Sequence, residues 1–222
     1  MIKSLFYKEW IKLRWVLLGA AIVTAGLLVY ILLSVREVME FKSAMDAWYN
    51  YIHIQKNFYT VIKYNALAWG AIFAFTQFVF ETRQHRLRLL FHLPLAHNRS
   101  LYWMMAAGLA SLAAVCLLTM GGLAWITLAL YPAEVFTSVL WTIAPWLAAG
   151  FAAYFCMALF LLEPSWQRKV AFLFLGCLVG MLFFQGGGYD AYKHSLGAYL
   201  AFAFVLGFAP LLPAFRFKRG SY

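Results

Sequence analysis

Residues 15–35 run without a single charged side chain, and five more apolar stretches of comparable length follow, separated by short polar or basic segments. A run of this length is what a helix needs to cross a hydrocarbon layer of about 30 Å, at roughly 20 residues per crossing. Composition points the same way. The chain of 222 residues is 65% hydrophobic and 12% charged, whereas a soluble domain is about 45–50% apolar and about 25% charged. That much apolar surface cannot be hidden inside a water-soluble fold of this size.

The expectation is an all-α integral membrane protein forming a single transmembrane domain over 1–222. Six transmembrane helices are placed near 15–35, 64–80, 101–130, 136–162, 170–185 and 196–215. Pro145 predicts a kink in the fourth span and Pro210 and Pro213 interruptions in the sixth. Residues 36–63 mix charges with Val38, Phe41, Met45, Trp48 and Ile52 at helical spacing, predicting amphipathic structure at the membrane surface. No small-residue cleavage site follows the basic N-terminus, so the first span reads as retained, not as a removed signal peptide.

Charge sets the orientation. With both termini on one side, that side collects thirteen of the 18 basic residues: Lys3, Lys8, Lys12, Arg14, Arg83, Arg86, Arg88, Arg99, Arg168, Lys169, Arg216, Lys218 and Arg219. The other side holds Arg36, Lys42, Lys56, Lys63 and Lys193, balanced by Glu37, Glu40, Asp46, Glu134 and Asp190. Lys and Arg in short loops favour the cytoplasm, which makes the N- and C-termini cytoplasmic and assigns the whole formal charge of +10 to that face. Topology and anionic lipid headgroups account for this basicity, so nucleic acid is not an expected partner.

Chemistry within the spans is sparse. No carboxylate, lysine, arginine or histidine falls inside them, with Lys63 at a boundary from which it can snorkel, and this disfavours an ion-coupled pump. Cys116, Cys156 and Cys177 lie in apolar runs without paired spacing and read as packing residues. Ser111 reads as a helix-packing serine, because no histidine lies in another span to activate it. His85, His92 and His97 have no Cys or acidic partner at metal spacing. No GxxxxGK motif ending in Ser or Thr occurs, so a P-loop for ATP is absent from this sequence. Gly176 and Gly180 make a GxxxG, and Gly19 with Gly26 gives the first span a small-residue face; both suit close helix packing, within one chain or between two.

Two further segments are distinctive. In residues 1–14, Phe6, Tyr7, Trp10, Leu13 and Arg14 are set among Lys3, Lys8, Glu9 and Lys12. Between the second and third spans, 81–100 carries Glu81, then Arg83, Arg86, Leu87, Arg88, Leu90 and Phe91, then Leu93 and Pro94, with His97 and Arg99 after them. A basic amphipathic segment held between two spans is a docking surface for a cytoplasmic partner.

In these features the chain resembles the membrane subunits of ABC transporters of the ABC-2, or type V exporter, class. The resemblance covers the topology of the whole chain and, locally, residues 1–14, which look like the N-terminal amphipathic interfacial helix with which such proteins begin, and the 81–100 segment, where they hold a coupling helix that often opens on a glutamate and closes on Leu-Pro. This sequence has His97 where an arginine is usual, lacks the Gly-Thr pair that often follows the glutamate, and has no lysine early in the third span. The resemblance implies a permease subunit of an exporter in a cell membrane, that of a bacterial inner membrane, and aromatic-rich spans without deep charge suit a lipidic, amphipathic or peptide substrate better than a small ion. The resemblance also implies that Glu81, Arg83, Arg86, Leu87, Arg88, Leu90, Phe91, Leu93 and Pro94 dock a separate cytoplasmic ABC ATPase, which holds the ATP and magnesium. The chain itself is then no enzyme and carries no cofactor. By the same resemblance a second permease subunit, the same chain or a homologous one, packs on spans one and five near Gly19, Gly26, Gly176 and Gly180. Two other functions stay open: a non-transporting structural or regulatory membrane subunit, and an intramembrane enzyme acting on lipids through residues such as Arg88, His92 or Glu163.

Overall fold

A computed structural model describes residues 2–42, 45, 49, 54, 57–83, 97–186, 192–213 and 216. Among these the chain is helical, with no strand. The helices are α1 (Ile2–Lys42), α2 (Asn65–Arg83), α3 (His97–Leu130), α4 (Ala133–Leu162), α5 (Trp166–Leu182) and α6 (Leu196–Leu206), and a single 3-10 turn, Thr60–Ile62, precedes α2. Among the described residues four stretches are long and apolar enough to cross a membrane: Phe6–Phe41, Leu101–Leu130, Ala133–Leu162 and Leu196–Pro213. α2 and α5 fall outside that set. α5 is 17 residues long, and α2 is diluted by Asn65, Gln77 and Glu81, all three of them buried.

The expected interfacial helix over 1–14 is not a separate element, because α1 runs unbroken from the N-terminus through the first apolar stretch. The reason is local. Turning a helix out of the membrane plane needs a breaker, and Lys12, Leu13, Arg14 and Trp15 contain neither Gly nor Pro. Its 41 residues span about 60 Å at 1.5 Å per residue, roughly twice a hydrocarbon core. α4 also stays continuous through Pro145. Beyond Leu206, by contrast, the chain tightens into i to i+3 bonding, with Gly207 N–H donating to Phe204 O and Phe208 N–H to Val205 O, on the approach to Pro210. Proline removes a donor and disfavours the α-region for the residue before it.

α4 is the hub of the bundle and contacts α2, α3, α5 and α6. Its most extensive contact is with α2, and two isolated glycines make it possible. A Cβ on Gly70 would run into the Gly150 carbonyl, and one on Gly150 would stand 2.7 Å from the Ala66 carbonyl oxygen. Only hydrogen at both positions lets the two backbones approach so closely. The core around this crossing is filled by Phe73, Phe78, Met104, Leu112 and Tyr154. At the far end Phe58 stacks on Tyr131 at 5.2 Å, and Tyr59 packs on Trp146, gathering the segment before α2 onto the α3–α4 turn and the middle of α4. Four buried hydroxyls are satisfied inside their own helices: Ser111 Oγ donates to Ala107 O, and Thr119, Thr127 and Thr142 donate to the carbonyls four residues back. Ser111 is thus a packing residue.

Candidate functional site

The start of α1 and the end of α2 meet at one end of the bundle. Glu9 and Glu81 are fully buried there. Lys12 Nζ lies 2.6 Å from Glu81 Oε1 and 3.1 Å from Glu9 Oε1, and Lys8 Nζ lies 2.8 Å from the same Glu81 oxygen. Lys8 and Lys12 are one turn apart on α1, so both ammonium groups reach a single carboxylate. Burial pushes the Glu81 carboxyl up, but hydrogen bonds and charge from Lys12 and Lys8 outweigh it and hold Glu81 below its ordinary value.

A second ionic cluster closes the same end. Glu163, buried just past α4, has Arg216 Nη1 3.3 Å from Oε2 and Arg168 Nη1 3.6 Å from Oε1, which joins α4, α5 and the segment after α6. All three carboxylates, Glu9, Glu81 and Glu163, are withdrawn from water: Glu81 and Glu163 tie separate elements together, whereas Lys12, the partner of Glu9, lies on the same helix.

One turn inward from Glu81, Gln77 Nε2 donates to Met104 O of α3, and the Tyr154 hydroxyl of α4 donates to Gln77 Oε1 at 2.6 Å. A Cβ on Gly108 would collide with Gln77 and Tyr154, so that glycine leaves room for the network. Farther along α2, Asn65 Nδ2 donates to Thr24 Oγ1 of α1 at 3.1 Å, and Asn65 Oδ1 accepts from Trp69 Nε1. α2 is therefore bonded to α1 at both ends and to α3 and α4 between them.

Two apolar grooves flank α4. One, of about 470 Å³, lies between α3 and α6 and is lined by Tyr102, Met105, Phe151, Phe155, Phe204 and Phe208 among others. The other, of about 600 Å³, lies between α2 and α5, with Gly176, Cys177 and Gly180 along its α5 side and Tyr64 and Phe184 at one end. Neither presents a nucleophile paired with a base. Among the described residues no three His, Cys, Asp or Glu side chains gather in a way that would hold a metal ion, and the three cysteines are unbridged.

The sequence-derived site residues fall in three groups. Glu81 turns inward to α1, Arg83 ends α2, and Arg86, Leu87, Arg88, Leu90, Phe91, Leu93 and Pro94 lie outside the described residues. Of the N-terminal residues, Phe6, Tyr7 and Trp10 are exposed, Leu13 is buried in the core, and the Arg14 guanidinium lies 5.5 Å from the Trp15 ring centroid. Of the glycines, Gly19 and Gly26 face open space, whereas a Cβ on Gly176 would lie 3.2 Å from Cys156 of α4 and one on Gly180 3.5 Å from Leu67 of α2. The GxxxG of α5 thus faces this chain's own helices. Sequence reading missed Lys8 and Lys12 as partners of Glu81, and Gln77 with Tyr154; a carboxylate at the end of an apolar helix signals that some cation must meet it, but not which. No family model, curated protein or solved structure matches this chain.

Proposed function

We propose that this chain is the membrane-spanning permease subunit of an ATP-driven exporter resembling the ABC-2 class, energised by a separate cytoplasmic ATPase that grips the 81–100 segment. In this reading all six helices cross the bilayer, with the charged end in the cytoplasm. α2 crosses despite its modest hydropathy because its polar residues are spent on α1, α3 and α4 and not offered to lipid.

The observation that carries the proposal is the anchoring of Glu81. The docking segment leaves α2 directly after a carboxylate locked to Lys8 and Lys12 of α1, and returns into α3, itself bonded to α2 through Gln77. A partner that pulls on the segment therefore pulls on three helices, and energy passes if the partner binds the two resulting arrangements unequally. The interior of one chain is filled by aromatic and aliphatic side chains, so the pathway runs along its outer surface or between two copies. The open face at Gly19 and Gly26 is where a second permease subunit packs. Aromatic-rich helices and apolar grooves suit a lipidic, amphipathic or peptide substrate.

Reversing the charges of Arg83, Arg86 and Arg88 together is expected to release a co-purifying P-loop ATPase or to uncouple its hydrolysis from transport. Unchanged assembly and turnover contradict the proposal. Co-purification without nucleotide-driven transport favours a structural or regulatory subunit instead.

A further inference from the structure

The groove between α2 and α5 has a cation at its mouth. Lys63, just before α2, holds its ammonium 5.5 Å from the ring centroid of Tyr64 and 5.6 Å from that of Phe184. Both rings line the groove. Among the described residues this ammonium forms no ion pair. Cation-π contact with two partly exposed rings orients the charge over the opening without neutralising it.

Behind the mouth the walls are apolar. α5 contributes Phe172, Gly176, Gly180 and Met181, while Cys156 and Phe160 come from α4. From Phe172 to Phe184 the groove follows the axis of α5 for about 18 Å at 1.5 Å per residue, which matches one leaflet, half of a hydrocarbon core of about 30 Å. Gly176 and Gly180 place no side chain in this space.

From these observations we infer that the groove holds one acyl chain of an anionic phospholipid from the leaflet at the Lys63 end, with the lipid phosphate on Lys63. Charge complementarity selects the headgroup, and the volume of about 600 Å³ with its leaflet-deep length accommodates the chain. The inference requires lipid as solvent and does not require transport.

The test uses the full chain, reconstituted into vesicles of equal parts phosphatidylglycerol and phosphatidylcholine with matched acyl chains, then extracted and examined by native mass spectrometry for retained lipid. Wild type is expected to retain phosphatidylglycerol over phosphatidylcholine by about fivefold, the preference one lysine near the surface supplies. Lys63→Gln brings that ratio close to one while leaving the total retained. Gly180→Leu lowers retention of both lipids; it is chosen over Gly176 because a Cβ there meets only ordinary contact, with Leu67. Lys193→Gln, which changes an exposed lysine of the turn before α6, leaves the ratio unaltered. Equal retention of the two lipids by wild type overturns the inference, as does a Lys193→Gln effect equal to that of Lys63→Gln. Spontaneous Cys177 cross-links between copies in the membrane also overturn it, because they put a second chain in the groove.

Discussion

A carboxylate removed from water keeps its charge only where cations come to it, and Glu81 meets that condition through two lysines of another helix. Glu81→Ala is expected to destabilise the bundle by about 1.5–3 kcal/mol, the range for hydrogen bonds to charged groups, as read by denaturation in detergent micelles followed by circular dichroism. Lys12→Met costs more than Lys8→Met, since the Lys12 side chain is 17% exposed and that of Lys8 40%, and water screens the more exposed pair. The pH dependence has a definite sign. The folded Glu81 carboxyl lies below its ordinary value of 4.5, so its contribution is complete above about that pH and is lost as the pH falls through the lower folded value. Wild type is therefore expected to lose stability on the acid side of 4.5, and Glu81→Gln to lose less; equal acid sensitivity in both contradicts the ion-pair account.

At the scale of elements, each apolar run falls on a helix, but α1 extends well beyond 15–35 at both ends and α6 stops at Leu206, short of 215. α3 and α4 end at Leu130 and Leu162 as the sequence predicts, and α2 begins at Asn65, because run length and the next polar cluster fix such boundaries. The break expected near residue 14 does not occur, since amphipathicity in a segment does not by itself bend a helix. The α2–α4 crossing was not legible either. Gly70 and Gly150 stand alone in the sequence, and each acquires meaning only opposite the other, whereas the GxxxG at Gly176 and Gly180 advertised a packing face without naming its partner. Gly70→Ala or Gly150→Ala is expected to destabilise by about 1–3 kcal/mol or more, because a methyl group must force two backbones apart. Gly121→Ala, with open space around it, is expected to gain up to about 1 kcal/mol from helix propensity alone. Thermal unfolding of the three variants side by side checks the contrast.

Taken whole, the molecule has two unlike ends. One is tied by the Lys8, Lys12, Glu9 and Glu81 cluster and by Glu163 with Arg168 and Arg216; the other is tied by aromatic stacking among Phe58, Tyr59, Tyr131 and Trp146. The asymmetry of basic residues was legible as a count, and it is the ground on which we propose that the charged end faces the cytoplasm. That the acids of the charged end serve as internal anchors was not legible, because a count of charges does not say which of them leave water. The account stands or falls on the side of the membrane to which the charged end belongs. Single cysteines at position 88, in the segment between α2 and α3, and at position 60, in the turn preceding α2, are treated with a membrane-impermeant maleimide in intact cells. The account predicts labelling at 60 and none at 88 until the membrane is opened; labelling of 88 from outside contradicts it.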